Sequence, residues 1–403
     1  MKELLLTNIK RIHKHPSENQ SIWIRNGVIE TIGPLQEIRK HVPPDELQRA
    51  ETVDGSGLIA VPGFVDAHTH LLFAGSRENE LYLRAQGADY LDILRKGGGI
   101  HSTVRAVRKA SEEEMIQNGL KWLDRALRFG TTTVEIKSGY GLDVETERKM
   151  LKTIRRLNQL HAVDIVPTFL VHTVPEDVDR KKYLDLIANA MIPEFREYAE
   201  WFDLFLEQGV FDASESEALI RKAEDAGYWI GLHTNQVHDI GGIGLALEYG
   251  IRHVDHLEVL EDKDAERMMD NPGIYPVFLP SAEYHVFSPR IGQIHKFLNA
   301  PSRIVLATDF NPGTSPVLSP AAVMTLAVLR YRLNDATLLL DAFTSNPADM
   351  LFLPDRGRIE KSAKADILLV ELDTFEQIPY FGTIPRIRFV IKNGKPIQDL
   401  HPW

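Results

Sequence analysis

The chain opens on short stretches in which apolar and polar residues alternate, the period-two signature of half-buried strands: Leu4 to Ile9, Ser21 to Arg25, Val28 to Ile32 and Leu58 to Val61. Asn26-Gly27 separates two of them, and both of its positions accept the positive φ that a tight hairpin demands. The same texture returns near the end, in Asp366 to Glu371 and Arg386 to Lys392, followed by a second Asn-Gly at Asn393-Gly394. Strand-rich ends around a differently patterned middle predict a small β-sandwich domain built from both termini, residues 1–60 with 354–403.

From 61 to 353 short apolar runs alternate with longer amphipathic segments, the pattern of repeated βα units. The runs are Gly63–His68, Thr131–Lys137, Asp164–Leu170, Trp201–Leu206, Tyr228–His233, Arg252–Leu257, Ile274–Leu279 and Arg303–Thr308. Eight such runs in a span near the ~250 residues typical of the fold predict an α/β (β/α)8 TIM barrel. Helices are expected between the runs, among them Leu120–Arg128, Val144–Gln159, Tyr183–Tyr198 and Ile291–Leu298. Residues 78–111, with Gly97-Gly98-Gly99, are expected to form an irregular active-site loop, because a glycine triplet cannot hold a regular element.

Composition narrows the chemistry. Among 403 residues there is no cysteine, and 46 Lys+Arg stand against 57 Asp+Glu, a formal charge of −11. Disulfides, thiol catalysis and cysteine metal sites are excluded, so a metal ion would need His, Asp or Glu. The acidic balance argues against nucleic acid or an anionic membrane as partner. Charged residues interrupt every apolar run before the ~18 residues of a membrane span. A cytoplasmic enzyme is the expectation.

A parallel strand buried on both faces should be almost wholly apolar, so polar residues at its carboxyl end need a reason, and in a barrel that end carries the chemistry. Asp66-Ala67-His68-Thr69-His70 puts two imidazoles on one side of an extended chain, His233 ends the fifth run and Asp309 follows the eighth. Three imidazoles and a carboxylate suit one divalent ion, Zn2+ or Fe2+. His256 ends the sixth run. Alternation gives it to the mouth with Glu258, as a fifth ligand or a hydrogen-bond donor to a developing oxyanion, and puts His253 and Asp255 on the other face, with His253 against a helix. Lys137, two residues from Glu135, is expected to form an ion pair rather than to bridge two metals.

These residues resemble the metal-dependent amidohydrolase superfamily, through Pro62-Gly63-Phe64-Val65-Asp66-Ala67-His68-Thr69-His70 with the later His233, His256 and Asp309. Within it, Glu135-Ile136-Lys137-Ser138-Gly139-Tyr140-Gly141-Leu142 and Ala307-Thr308-Asp309-Phe310-Asn311-Pro312-Gly313-Thr314 are similar to the imidazolonepropionase family. That resemblance implies His68, His70, His233 and Asp309 as metal ligands, and Arg77, Tyr140, His172, Asn311, Gly313 and Thr314 as substrate contacts. It implies Asp309, His256 and Gln236 as catalytic groups, and a homodimer acting on a small substrate with a carboxylate, 4-imidazolone-5-propanoate. The chain departs from the family pattern around His172, at Asn235 and around Ser281. Two other readings stay open here: a different cyclic amide or amidine hydrolase, such as a purine or pyrimidine deaminase, and a non-catalytic scaffold on the same fold.

Overall fold

A computed structural model describes residues 3–88, 92–93, 97–300, 303–384 and 386–397. The chain divides into two compact units, one of Met1–Ala67, Asp124–Thr133 and Ser319–Trp403, the other of His68–Leu123 and Val134–Leu318.

The termini share one eight-stranded sheet. Its path runs Lys395–Ile397, Ile387–Lys392, Ile367–Val370, Ile59–Pro62, Glu3–Ile12, Glu18–Arg25, Val28–Gly33, with Glu51–Asp54 paired beside Glu3–Ile12. The long first strand is bulged between Leu6 and Ile9. Beyond the break it exchanges its parallel partner, from Glu51–Asp54 to Ile59–Pro62. The two Asn-Gly turns abut. Asn26, Gly27, Asn393 and Gly394 all carry positive φ, and a Cβ on Gly394 would stand 2.8 Å from the Gly27 Cα. The Ala365 N–H closes this corner on the Gly27 carbonyl at 2.7 Å. One sheet face buries Leu4, Leu6, Ile22, Ile24, Ile367 and Ile391. The other packs Leu5 and Trp23 against Ile38 and Val42, supplied by the unexpected helix Leu35–His41 and its C-cap.

The second sheet is parallel, with eight strands in chain order: Phe64–Asp66, Thr131–Lys137, Asp164–Val171, Trp201–Leu206, Trp229–Thr234, His253–His256, Tyr275–Phe278 and Val305–Leu306. A bridge between Thr69 and Phe310 joins the chain after the first strand to the chain after the last. This is the (β/α)8 barrel, with helices between its strands.

Three expectations about elements need correction. The region 78–111 is not an irregular loop: it contains the helices Glu78–Ala85 and Ile100–Lys109. Thr103, Val104 and Val107 are buried at the three-and-four spacing of a helix face, a periodicity that outweighs the glycines before it. Asp89 to Leu91 and Leu94 to Lys96, inside that region, lie outside the described residues. The helix expected over Tyr183–Tyr198 is instead Arg180–Leu186, a π turn at Ile187–Met191 and Ile192–Phe195. Pro193 has no N–H to give the carbonyl four residues back, so the hydrogen-bond register slips there. Ile291–Leu298 shrinks to a 3₁₀ turn at Ile294–Phe297, because the Gly292 N–H goes to the Glu283 carboxylate at 2.8 Å and the Gln293 N–H to the Leu257 carbonyl at 3.2 Å.

The terminal sheet holds a fully buried ion pair, Lys392 Nζ to Asp366 Oδ2 at 2.6 Å, while Asp366 Oδ1 accepts the Asn393 N–H at 2.8 Å. Breaking a buried pair from one side strands the remaining charge. Lys392→Met is expected to lower the unfolding free energy by about 3 kcal/mol, read from urea denaturation.

Candidate metal centre and active site

Barrel closure builds the site. The Asp309 N–H donates to the His68 carbonyl at 3.0 Å and the His70 N–H to the Phe310 carbonyl at 3.0 Å. These two bonds draw the ends of the first and eighth strands together. They set Asp309 Oδ1 3.6 Å from His68 Nε2 and 3.4 Å from His70 Nε2. His233 arrives from the fifth strand, its ring centroid 4.5 Å from that of His68 and 5.7 Å from that of His70. One nitrogen from each of the three imidazoles falls within a set no more than 4.8 Å apart, and all three side chains are buried.

Behind the imidazoles stand carboxylates that composition did not reveal. His68 Nδ1 is 2.6 Å from Asp255 Oδ2, and His233 Nδ1 is 3.0 Å from Asp203 Oδ1. Lys137 Nζ donates to Asp203 at 2.7 Å and to Glu135 at 2.9 Å, and lies 4.0 Å from Asp255. The expected Lys137–Glu135 ion pair therefore exists, inside a larger buried cluster. Since a carboxylate can only accept, each Nδ1 must carry the hydrogen, and each Nε2 is left with a lone pair.

Among the described residues, His68 Nε2 and His233 Nε2 are buried with no hydrogen-bond partner, as is His70 Nδ1. A buried, unsatisfied nitrogen costs stability. A cation shared by several of them removes that cost. Burial, reinforced by Lys137 and His233, keeps His68 well below its ordinary pKa, and burial with His233 and Lys137 does the same for His70. Neutral imidazoles beside an acid are what a divalent metal needs, so the residues fit one. Burial works against ionised Asp203 and Asp255, yet His233 and Lys137 hold the first, and His253 and His68 the second, well below the usual carboxylate range. Burial also disfavours a charged Lys137, but Asp203, Glu135 and Asp255 outweigh it and raise its pKa.

The period-two reading of the sixth strand fails at its end. Asp255, expected to face away from the mouth, contacts His68, and His256 lies with its ring 5.5 Å from that of His233. His256 and Leu257 have φ of 87° and 65°, so strand alternation ends there and both side chains serve one centre. His253, expected against a helix, lies on the Trp201 ring at 5.4 Å, and a Cβ on Gly231 would come within 2.2 Å of it. Asn235 and Asp309, also at strand ends, have φ of 56° and 50°. Such backbone costs on the order of 1–3 kcal/mol per residue and concentrates at functional sites.

His70, His233, His256 and Asp309 line a cavity of about 480 Å³ with Arg77, Tyr140, His172, Gln236, Asn311 and Thr314. Gly313 is not part of the lining; the Arg77 guanidinium sits against it, with Cζ 2.2 Å from where an added Cβ would stand. His172 stacks on His70 at 5.5 Å despite the altered sequence around it. Asn311 is spent on its own turn: Oδ1 accepts the Gly313 and Thr314 N–H groups at 2.9 and 2.7 Å, and Nδ2 donates to the Asp309 carbonyl at 2.7 Å. Burial raises the Tyr140 pKa, keeping its phenol protonated. The segment carrying Tyr140 is pinned by Glu147, which accepts the Gly139, Gly141 and Leu142 N–H groups at 2.6–3.0 Å.

Sequence reasoning missed Asp203, Glu147 and Glu80, and put Asp255 on the wrong face of its strand. The signal for Asp203 was present: a lone carboxylate inside the otherwise apolar Trp201–Leu206.

Burial disfavours a charged His256, but Glu258, at 3.4 Å from Nδ1, with Asp309 and Asp255, pushes its pKa up to about 9. A pKa raised from 6.5 means that this contact stabilises the fold fully below about pH 6.5 and loses its contribution as pH climbs through about 9. Glu258→Gln is expected to flatten that part of the pH dependence of thermal unfolding, measured on chelator-treated protein beside the wild type.

A sequence profile of the amidohydrolase family matches residues 59–398. The imidazolonepropionase of Geobacillus kaustophilus is 38% identical over 388 residues, covering 95% of this chain and 91% of that protein. That of Thermoanaerobacter pseudethanolicus is 37% identical over 415 residues, covering 97% of each. Among solved structures, a triazine hydrolase variant superposes with a TM-score of 0.78 at 16% identity, over 99% of this chain and 96% of that one. A 5-methylcytosine deaminase from Klebsiella pneumoniae gives 0.71 at 16%, over 98% and 97%. Those two likenesses establish the shared fold. With near-complete coverage at 37–38% identity and the profile match, the chain belongs to the amidohydrolase family and, within it, to the imidazolonepropionases.

Proposed function

We propose that this chain hydrolyses 4-imidazolone-5-propanoate to N-formimino-L-glutamate, a step of histidine degradation, with a divalent ion held by His68, His70, His233 and Asp309. The observation that carries the reading is the pair of buried, unpartnered Nε2 atoms on His68 and His233. Of the remaining proposed ligands, His70 and Asp309 line the cavity that also contains Arg77. Nitrogen and carboxylate donors suit Zn2+ or Fe2+. When bound, such an ion makes hydroxide available at neutral pH by lowering the pKa of water from about 15.7 toward 7.

The residues then divide the work. Attack occurs at the ring carbonyl carbon: a C–O bond forms, the C–N bond to the adjacent ring nitrogen breaks, and the product acid ionises. Asp309 takes a proton from the attacking water and returns it to the departing nitrogen. His256, held by Glu258, donates a hydrogen bond to the oxygen that gains charge, and Gln236 orients the ring. Arg77 meets the propanoate with a planar fork, the geometry that distinguishes arginine from lysine at carboxylates. Tyr140, His172 and Thr314 complete the wall around the substrate, with Asn311 and Gly313 shaping the turn beneath it. No helix among the described residues is long and apolar enough to cross a membrane, and the same reading takes the enzyme as a cytoplasmic homodimer.

Purified protein is expected to turn over the imidazolone and to release no ammonia from guanine or cytosine. Dialysis against a chelator should abolish turnover and Zn2+ or Fe2+ should restore it, while His233→Ala should fail to retain a stoichiometric ion by elemental analysis. Ammonia release with no imidazolone turnover would assign the chain to the deaminases; no retained metal and no turnover, to a scaffold. Arg77→Ala is expected to raise KM roughly 10- to 100-fold, the worth of a hydrogen-bonded charge pair, in steady-state assays; an unchanged KM removes Arg77 from the carboxylate.

A further inference from the structure

Arg77 is not a loose loop arginine. It precedes the helix Glu78–Ala85, on which Glu80 is 4% exposed. Both oxygens of Glu80 carry two donors. Oε1 accepts from Arg77 Nε at 2.8 Å and from the Gly99 N–H at 2.7 Å. Oε2 accepts from Arg77 Nη2 at 2.8 Å and from Arg84 Nη2 at 3.0 Å. Arg84 in turn reaches the Gly313 carbonyl through Nη1 at 2.9 Å. Gly313 is the residue against which the Arg77 guanidinium lies, close enough that an added Cβ would push the guanidinium aside.

We infer that Glu80 is the positioning residue that holds Arg77 ready for the substrate carboxylate and, through Arg84, locks the Gly313 turn beneath it. This rests on Arg77 being the carboxylate contact. Residues 77, 80 and 84 follow the three-and-four spacing that brings side chains together on a helix face. The Nε–Nη2 edge of the Arg77 fork is committed to Glu80, so the Nη1–Nη2 end is the part that meets a ligand in the cavity. A long, flexible side chain is thereby ordered before binding, and that ordering does not subtract from affinity. Among the described residues, two guanidiniums meet on this one carboxylate, which leaves positive charge for an incoming anion. All four partners of Glu80 are N–H donors, so a carboxamide there must turn its own NH2 against two of them.

The test is calorimetry on the metal-loaded protein with two non-hydrolysed probes, 3-(imidazol-4-yl)propanoate and its carboxamide, beside kinetics on the imidazolone. Wild type should bind the acid more tightly than the amide. Glu80→Gln should weaken the acid roughly 10-fold, the worth of about one hydrogen bond to a charged group. It should leave the amide within about twofold, and in kinetics raise KM while sparing kcat. Equal weakening of both probes would reveal a merely structural role, and an unchanged or tighter acid would show that charge outweighs geometry; either overturns the inference. So does a wild type that does not distinguish the probes. Should Glu80→Gln not fold, Arg84→Met should shift the acid-to-amide ratio in the same direction by less, and an unshifted ratio overturns the inference. A wild type that prefers the acid but does not hydrolyse the imidazolone sinks the proposed substrate alone.

Discussion

One ammonium, on Lys137, organises the floor of the site. It is fully buried, and together with His233 it keeps Asp203 a carboxylate where water cannot, while lying 2.9 Å from Glu135 and 4.0 Å from Asp255, which His253 and His68 hold ionised. Those carboxylates in turn dictate the tautomer of His233 and His68, so both imidazoles present a lone pair to the same small volume. Remove the charge at the bottom and burial would weigh more heavily on Asp203, which once protonated could donate instead of accept and so release the orientation of His233. The direction of the His68 and His233 rings is thus a consequence of a charge balance one layer below them.

The barrel provides the rest through its ends rather than its walls. Strand pairing aligns His233 with Asp255 and Thr234 with His256, which brings the fifth and sixth strands to the same height. Left-handed backbone at Asn235, His256, Leu257 and Asp309 then releases the side chains from alternation. The surrounding hydrogen bonds, such as Asp309 N–H to the His68 carbonyl, hold these unfavourable conformations in place. Electrostatics follow the same division. Buried imidazoles at the centre are held neutral, while His256, beside Glu258, is held basic, so groups of one residue type are prepared for different tasks by their neighbours.

Much of this was legible beforehand. Period-two alternation and the paired Asn-Gly turns announced a shared terminal sheet, and eight apolar runs announced the barrel. His68, His70, His233 and Asp309 stood out because polar residues at buried strand ends are expensive. Other parts were hidden for identifiable reasons. Glycines at 97–99 suggested irregular chain where the buried face of Ile100–Lys109 settled on a helix. Pro193 shifted a hydrogen-bond register that hydrophobic periodicity does not record. Asp255 was placed on the wrong side because alternation has no means of anticipating a positive φ at the next residue.

Local chemistry therefore determined which segments become strands and helices, and which side chains carry the capacity to bind a cation, since those depend on neighbours a few positions away. Tertiary structure alone decided partnership: that Asp203 serves His233, that Asp255 serves His68, that Glu80 receives two arginines and a distant backbone N–H. Hydrogen bonds and buried charges are satisfied by proximity in space, and barrel closure, which joins His68 to Asp309 across most of the chain, is what creates that proximity.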